Sequence, residues 1–475
     1  MFVTTTPLLQ FQKVGYNKLH QLKVGALFME MGTGKTRLYL ELAANKINRG
    51  KADHIIILSQ VSSLLHTQEE VLKHTGLSPS DVTIFHDRYD MAPSVVNLMG
   101  IESMSSSMPA YGKLNSMIEG SVLVVDESHM IKNRDALRSR NINEIARKTD
   151  YRFLSTGTPM PNGVEDLYWQ FYTLSPQILG YRHYREFENV HMGYALRMYG
   201  KTAQYKTIAR YNTDIISKKI APYTFEVKKS DCLDLPPKTY SFASAYMDDE
   251  TDFLYAEAKR RILYGKDAFE ADDATIYRLL LALHQISSGI VPKVLAEDFP
   301  EMGNPKIDVL KQQVRLLPKD ERVVIFVSYL AELEAAKRCL LSEGYKVYTI
   351  SGDVPVNTRH ELIKQFKSDG GILIATTATG GQSIDLSFAH YVIYLSNRFN
   401  YKDRVQSEDR IHRIGMTGNA HYIDIRMECG IEKMINRSLK RKENAAQKFL
   451  EQIRYLRNLK TDEARKQIDE KISSL

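Results

Sequence analysis

The sequence predicts an α/β protein of two tandem parallel-sheet domains with helical insertions. Two observations carry that prediction and a third bounds it. Near-continuous apolar runs recur as VGALFME (24–30), HIIIL (54–58), VLVVD (122–126) and YRFLST (151–156), and runs without polar alternation are strands covered on both faces. The same grammar returns after Lys306 in ERVVIFVS (321–328), YKVYTI (345–350), GILIATT (371–377) and HYVIYLS (390–396). At 475 residues the chain is too long for one comfortable core, so more than one domain is expected.

Residues 24 to 47 read as strand, loop and helix, because the apolar run stops at a Gly-rich turn and RLYLELAANKI continues at helical spacing. The first domain core is placed at 1–162. Residues 163–234, rich in Tyr, Arg and Lys and lacking a clean buried strand, read as a helical, irregular insertion that returns to the first domain. Leu235-Pro236-Pro237 marks a boundary, since paired prolines break regular structure. Residues 235–304 read as helical, 305–430 as the second core, and 431–475 as a basic helical tail whose end frays.

Composition excludes some classes. With 43% hydrophobic and 25% charged residues the chain is globular rather than disordered. Cys232, Cys339 and Cys429 lie far apart without ligand-like spacing, which argues against a disulfide frame or a structural metal. No signal pattern and no membrane-length apolar run is present, so a cytoplasmic setting is expected. The net charge of +7 is compatible with a polyanionic partner.

The chemistry starts at MEMGTGKT. A phosphate-binding loop turns backbone N–H groups toward phosphate oxygens at a helix N-terminus, while a lysine reaches the terminal phosphates and a hydroxyl holds magnesium. Gly32, Thr33, Gly34, Lys35 and Thr36 supply those parts, although Met29 stands where the usual pattern has its first glycine. A chance Gly-Lys-Thr in a turn is the competing reading. VLVVDESH weighs against it by ending a second buried strand in Asp126 and Glu127. Asp126 there holds Mg2+ together with Thr36, and Glu127 orients and deprotonates the attacking water. ATP and Mg2+ are the expected cofactors. His129 suits a coupling role. Thr156 and Thr158, in STGTP, suit a bridge from the hydrolytic site to a moving element. An ordinary turn is the alternative for all three.

The second block has no lysine-bearing loop. In VQSEDRIHRIG (405–415), Gln406, Arg410 and Arg413 fall at spacings of four and three, which is the spacing of one helix face. A solvated arginine face is the alternative. The backbone of Thr379-Gly380-Gly381, after an apolar strand, suits approach to a ligand or another domain. An arginine reaching the γ-phosphate from an opposing domain completes the transition-state charge and ties domain closure to ATP. Closure of that kind is the basis of a motor acting on a long polymer.

Taken in order, these motifs resemble those of superfamily 2 helicases and translocases, and in particular the Snf2-like branch. LQFQKVGY (9–16) resembles the segment whose glutamine, here Gln12, recognises adenine, and MEMGTGKT resembles motif I. DESHMIKN (126–133) is similar to the branch's DEAH-like box, and TGTPMPN (156–162) to motif III. SGDVPVNTRHELIKQF (351–366), ATTATGGQSIDLSFAHYVI (375–393) and QSEDRIHRIG (406–415) resemble later motifs, the last two being V and VI. The resemblance implies two RecA-like motor domains, with Thr379 and Asp385 at coupling or DNA contacts. Ser383, Asp385, Phe399 and Met416 depart from the branch's usual residues.

The implied activity is an ATP-dependent translocase on duplex DNA with helicase, branch-migration or fork-remodelling output. It would work as a monomer on duplex or branched DNA in a bacterial or phage-infected cell. Alternatives are an RNA helicase, the ATPase motor of a restriction system, and a nucleotide-gated DNA clamp without turnover. Such a motor follows backbone phosphates rather than bases. Lys228, Lys229, the segment YRHYRE (181–186) and the 433–457 region are the candidate contacts. Tyr181 and Tyr184 are candidates for stacking on exposed bases.

Overall fold

The chain folds as two compact units, Met1–Asp234 and Leu235–Leu475. The structure, a computed structural model, describes residues 2–85, 92–199, 202–263, 269–380, 384–459 and 461–475. The side chains of 197–199, 202–206, 356 and 379–380 lie outside that description.

Unit 1 contains β1 (Val24–Met29), β2 (His54–Ser59), β3 (Val82–Ile84), β4 (Val96–Gly100), β5 (Ser121–Asp126) and β6 (Tyr151–Thr156). A hairpin, β7 (Met192–Tyr199) and β8 (Thr202–Arg210), precedes β9 (Thr224–Val227). The main sheet runs β3-β4-β2-β5-β6-β1-β9, and its pairings are parallel. Helical crossovers cover both faces of such a sheet, so alternate residues enter two separate cores. Ala26 and Phe28 pack into one, Leu27 and Met29 into the other. The hairpin differs from the helical reading of 163–234. Its strands pair antiparallel with each other and join neither main sheet, so they carry no buried run that a sequence pattern would register.

Unit 2 contains β10 (Lys238–Ala245), β11 (Val323–Val327), β12 (Val347–Ile350), β13 (Ile372–Thr376), β14 (Tyr391–Tyr394) and β15 (Ala420–Met427). Their order is β10-β15-β14-β11-β13-β12, again parallel. Helices Asp249–Ile262 and Asp273–Ser287 precede the central strands.

The chain end does not fray as the sequence reading expected. Helices Gly430–Lys440, Ala445–Leu459 and Asp462–Ser473 return Ile431, Phe449, Ile468 and Leu475 to the core that holds Val323 and Ile325. The Tyr255 hydroxyl donates to the Leu475 carbonyl. Beneath these helices Lys306, fully buried, meets Glu432 at 2.6 Å and donates to the Leu395 carbonyl at 3.1 Å.

Candidate active site

The loop after β1 is built around two glycines. Gly32 and Gly34 adopt φ of 75° and 76°, a left-handed backbone that strains any other residue. Gly34 is the N-cap of the helix Lys35–Asn48, whose first-turn amides have no intrahelical acceptor and face the loop. Met29 is the last residue of β1 and fully buried. It ends the strand rather than forming the turn, so no glycine is required there. Lys35 Nζ rests on the Met29 carbonyl at 3.2 Å, and the Thr33 hydroxyl donates to the Glu30 carbonyl at 2.7 Å. Thr36 follows in the first helical turn. Gln12 is buried and donates to the carbonyls of Thr33 (3.1 Å) and Gly34 (3.2 Å), while its Oε1 accepts from the Leu9 amide. Its amide is committed to bracing the loop.

Strand order explains the rest. β6 lies between β5 and β1, with Phe28 opposite Thr156 and Asp126 opposite Ser155. The end of β6 therefore sits between the phosphate-type loop and the two carboxylates. Asp126 accepts from the Glu127 amide at 3.0 Å. Burial, then the neighbouring Glu127 charge, pushes its carboxyl up to about 6, with Lys35 opposing the shift. Glu127 takes φ 51°, ψ 48°, a conformation rare outside glycine. The Thr156 hydroxyl donates to Glu127 Oε2 at 3.3 Å and accepts from the Thr158 amide at 3.1 Å. His129 Nδ1 lies 3.1 Å from that hydroxyl and 3.2 Å from Glu127 Oε2. Because the single hydroxyl proton goes to Glu127, Nδ1 is the protonated ring nitrogen.

Residues outside the quoted motifs complete this end of unit 1. Gln170 accepts from the Ser128 hydroxyl and donates to the Pro159 carbonyl, both at 2.8 Å. Asp166 accepts from the Asn162 amide at 2.7 Å and faces Lys132 at 3.6 Å. A Cβ on Gly157 would lie 3.1 to 3.4 Å from Met31 and the Met29 carbonyl, so this loop is in direct contact with the first one. Gln170 and Asp166 sit on the helix Glu165–Leu174, where a buried polar pair interrupting an aromatic face was the available signal.

In unit 2 the helix Tyr401–Glu408 stops before the arginines. Gln406 lies in its last turn. Arg410 and Arg413 are in the turns that follow, so the expected single helix face is not formed. The chain leaves the helix because Ile411 and Met416 enter the core and Gly415 turns at φ 99°. Arg413 Nε lies 3.9 Å from Asp385 Oδ1, and Asp385 also accepts from the Ser387 amide at 3.0 Å. Gly381 and Ser383 lie outside the described residues, as does the side chain of Thr379. Arg404, which the sequence reading passed over, is buried against the Tyr394 ring and donates to Glu408 at 2.7 Å and Asn397 at 2.9 Å.

Two candidate contacts change character. Lys229 is buried, with its amide donating to Glu30 at 2.7 Å, whereas Lys228 is exposed. Tyr181 bonds to His191 at 2.7 Å under the Lys219 ammonium, and Tyr184 packs on Tyr168 with Arg134 over its ring. Both tyrosines are packing residues rather than open stacking platforms.

Comparison with known proteins places this geometry. The chain matches the SNF2-related domain over residues 13–289 and the helicase conserved C-terminal domain over 305–415. It belongs to the SNF2-related family. Relatives within reach of that family include the DNA annealing helicase and endonuclease ZRANB3 of Homo sapiens, 24% identical over 431 residues that cover 88% of this chain and 38% of that protein. The ATP-dependent helicase fft1 of Schizosaccharomyces pombe is 24% identical, covering 90% of this chain and 52% of that protein. The chain thus spans only a third to a half of these relatives' lengths. In fold it is similar to the Pyrococcus furiosus Hef helicase domain, with a TM-score of 0.57, 13% identity, and coverage of 91% and 98% of the two chains. Among the described residues no helix is long and apolar enough to cross a membrane.

The residues of unit 1 fit Mg-ATP. Among the described residues no cluster of three or more His, Cys, Asp or Glu side chains could cage a metal alone. Magnesium in nucleotide sites needs no such cage, since one or two protein oxygens together with phosphates and water suffice. A buried carboxyl pushed up by an adjacent carboxylate is also a group that a cation relieves.

Proposed function

We propose that this SNF2-related protein is an ATP-hydrolysing translocase on duplex DNA with helicase, branch-migration or fork-remodelling output, acting as a monomer on duplex or branched substrates. The observation that carries it is Glu127, held in a left-handed backbone with one carboxylate oxygen fixed by Thr156 and His129. A base fixed to that degree serves turnover, whereas a nucleotide-gated clamp needs only the loop. The reported relatives are named for helicase work, ZRANB3 for work on DNA, and none of those names points to an RNA helicase or a restriction motor.

Bound Mg-ATP supplies the γ-phosphoryl group and a charge-neutralising cation. Lys35 exchanges the Met29 carbonyl for phosphate oxygens, and the loop amides together with the helix start receive the remaining charge. Thr36 and Asp126 would hold the cation. Glu127 orients a water and takes its proton, while Thr156 and His129 keep the carboxylate aimed. Gln12 fixes the loop under the nucleotide. Arg410 and Arg413 contribute transition-state charge, with Gln406 and the Thr379–Gly381 backbone as further contacts and Asp385 setting the Arg413 side chain. Lys228 and the exposed Lys433, Arg437 and Arg441, spaced by four along the helix Gly430–Lys440 and its C-cap, follow DNA phosphates.

ATP hydrolysis compared across single-stranded, duplex, forked and four-way DNA tests the proposal, paired with triplex displacement. Stimulation by duplex or branched DNA is expected, with Glu127→Gln binding ATP but failing to turn over. A rate that stays basal with every DNA form refutes it.

A further inference from the structure

The backbone of Glu127 sits where residues other than glycine rarely go, at φ 51°, ψ 48°. Such a conformation persists only where the surroundings over-determine it. The Glu127 amide donates to Asp126 Oδ1 at 3.0 Å, and its carbonyl accepts from the Met130 amide at 2.9 Å. The next residue, Ser128, is fully buried, and its hydroxyl donates to Gln170 Oε1 at 2.8 Å.

Gln170 is itself fully buried, and both of its amide protons are used. Nε2 donates to the carbonyls of Pro159 and Asp166, each at 2.8 Å. Those two acceptors fix which way the amide points, because a flipped amide would set its oxygen against both. The tie closes a ring. Pro159 follows Thr158, whose amide donates to the Thr156 hydroxyl at 3.1 Å, and that hydroxyl donates to Glu127 Oε2 at 3.3 Å. Glu127 is therefore held twice from one loop, at its carboxylate by Thr156 and at its backbone through Ser128, Gln170 and Pro159. One turn earlier on the same helix, Asp166 repeats the pattern, facing Lys132 Nζ at 3.6 Å and accepting from the Asn162 amide at 2.7 Å.

Packing alone does not call for an amide at this position. The other buried residues of the helix include Leu167, Phe171 and Leu174, and exchanging both members of a buried hydrogen-bonded pair for apolar groups is close to neutral. We propose that Gln170 is a positioning residue for ATP hydrolysis. It ties the backbone after Glu127 to the loop of Thr156 and Pro159, so that the carboxylate and the loop shift as one body. Gln170 touches no reacting atom and acts through Glu127, so the inference rests on the reading of Glu127 as the base.

The test uses the full chain. Gln170→Met keeps the length of the side chain and removes all three bonds, while Ser128→Ala removes one of them from the far end. Thr173→Val is the control, since it deletes the 3.0 Å bond from Asn143 on the same helix but outside the ring. Single-turnover hydrolysis at saturating ATP is measured with nucleotide affinity and melting temperature. Gln170→Met should slow hydrolysis about tenfold, and Ser128→Ala less, with ATP affinity changed by no more than about twofold. Thr173→Val should melt lower and keep the wild-type rate. Gln170→Met joined to Thr156→Val should slow hydrolysis by less than the product of the single effects, because either change opens the same ring. Wild-type rates in both Gln170→Met and Ser128→Ala overturn the proposal, as does a Thr173→Val variant as slow as Gln170→Met or a double variant at the full product. If Gln170→Met does not fold, Ser128→Ala decides. Glu127→Gln is run beside them. Turnover retained there refutes the base and this inference with it, whereas turnover lost there beside an unimpaired Gln170→Met refutes this inference alone.

Discussion

Thr156→Val isolates the hydroxyl that lies between the two halves of the candidate site. Valine keeps the β-branched shape in a fully buried position at the end of β6. It removes the 3.3 Å bond to Glu127, the acceptor for the Thr158 amide, and the 3.1 Å contact with His129. Stranding a buried donor costs about 1–3 kcal/mol, so a modest fall in stability accompanies the change. The kinetic effect is larger. General-base catalysis is worth roughly 10²–10⁴ in rate, and one of the two groups fixing Oε2 is lost while His129 remains at 3.2 Å. We expect hydrolysis to slow on the order of tenfold or more, with ATP affinity nearly unchanged because the loop itself is untouched. Single-turnover phosphate release and fluorescent-nucleotide titration separate the two quantities. Thr156→Ser restores the hydroxyl and should recover most of the rate. A Val variant that hydrolyses at the wild-type rate, or a Ser variant as slow as Val, refutes the role given to the hydroxyl.

Other expectations test charge. Lys306→Met leaves Glu432 buried without its partner and withdraws the charge that favours ionised Glu332. Urea unfolding should show a loss of about 3–5 kcal/mol, largely recovered by adding Glu432→Gln. Asp126 has a folded pKa near 6, above its unfolded value of roughly 3.9, so its stabilising contribution is complete below that value and lost as pH rises through about 6. Asp126→Asn should therefore melt higher than wild type at pH 7 without nucleotide, by up to about 3 kcal/mol, with the difference vanishing near pH 4. Reversing Arg437 and Arg441 to Glu should lower the slope of log Kd against log salt by about 2 for duplex DNA, read by anisotropy between low and moderate salt.

What the sequence disclosed follows from burial. β1, β5, β11 and β13 are apolar throughout or nearly so because helices cover both faces, and such runs are visible without a structure. β10 is an edge strand with Tyr240 and Phe242 about 60% exposed, and β15 carries Asp424 and Arg426. Neither resembles a buried run. The spacing of Gly32, Gly34, Lys35 and Thr36 was equally legible, because the loop's work is done by consecutive backbone groups. The bond from Thr156 to Glu127 was not, since it depends on β6 lying between β5 and β1. Spacing also misled at Arg410 and Arg413. Intervals of four and three fit a helix, but the helix ends at Glu408, whose carboxylate is already held by Arg404 at 2.7 Å and Lys238 at 2.9 Å.

The two units share a sheet grammar and differ in what meets the first helix. In unit 1 five residues, Glu30 to Gly34, separate β1 from its helix, and the helix start carries no acidic side chain in its first turn. In unit 2 only Ser328 and Tyr329 separate β11 from the helix Leu330–Ser342. There Glu332 turns back, fully buried, and accepts from the amides of Ser328 at 3.0 Å and Tyr329 at 3.2 Å and from the Ser396 hydroxyl at 2.7 Å. A carboxylate of the chain thus takes the place that an incoming phosphate would need. Burial raises the Glu332 carboxyl while the Lys306 charge lowers it, and Lys306 itself meets Glu432, so the buried lysine of unit 2 is committed to internal carboxyl groups. Lys35 in unit 1, by contrast, rests on a main-chain carbonyl that it can exchange for a ligand. The absence of a Gly-Lys-Thr from unit 2 therefore has a structural counterpart: the corresponding helix start is already capped by its own acid.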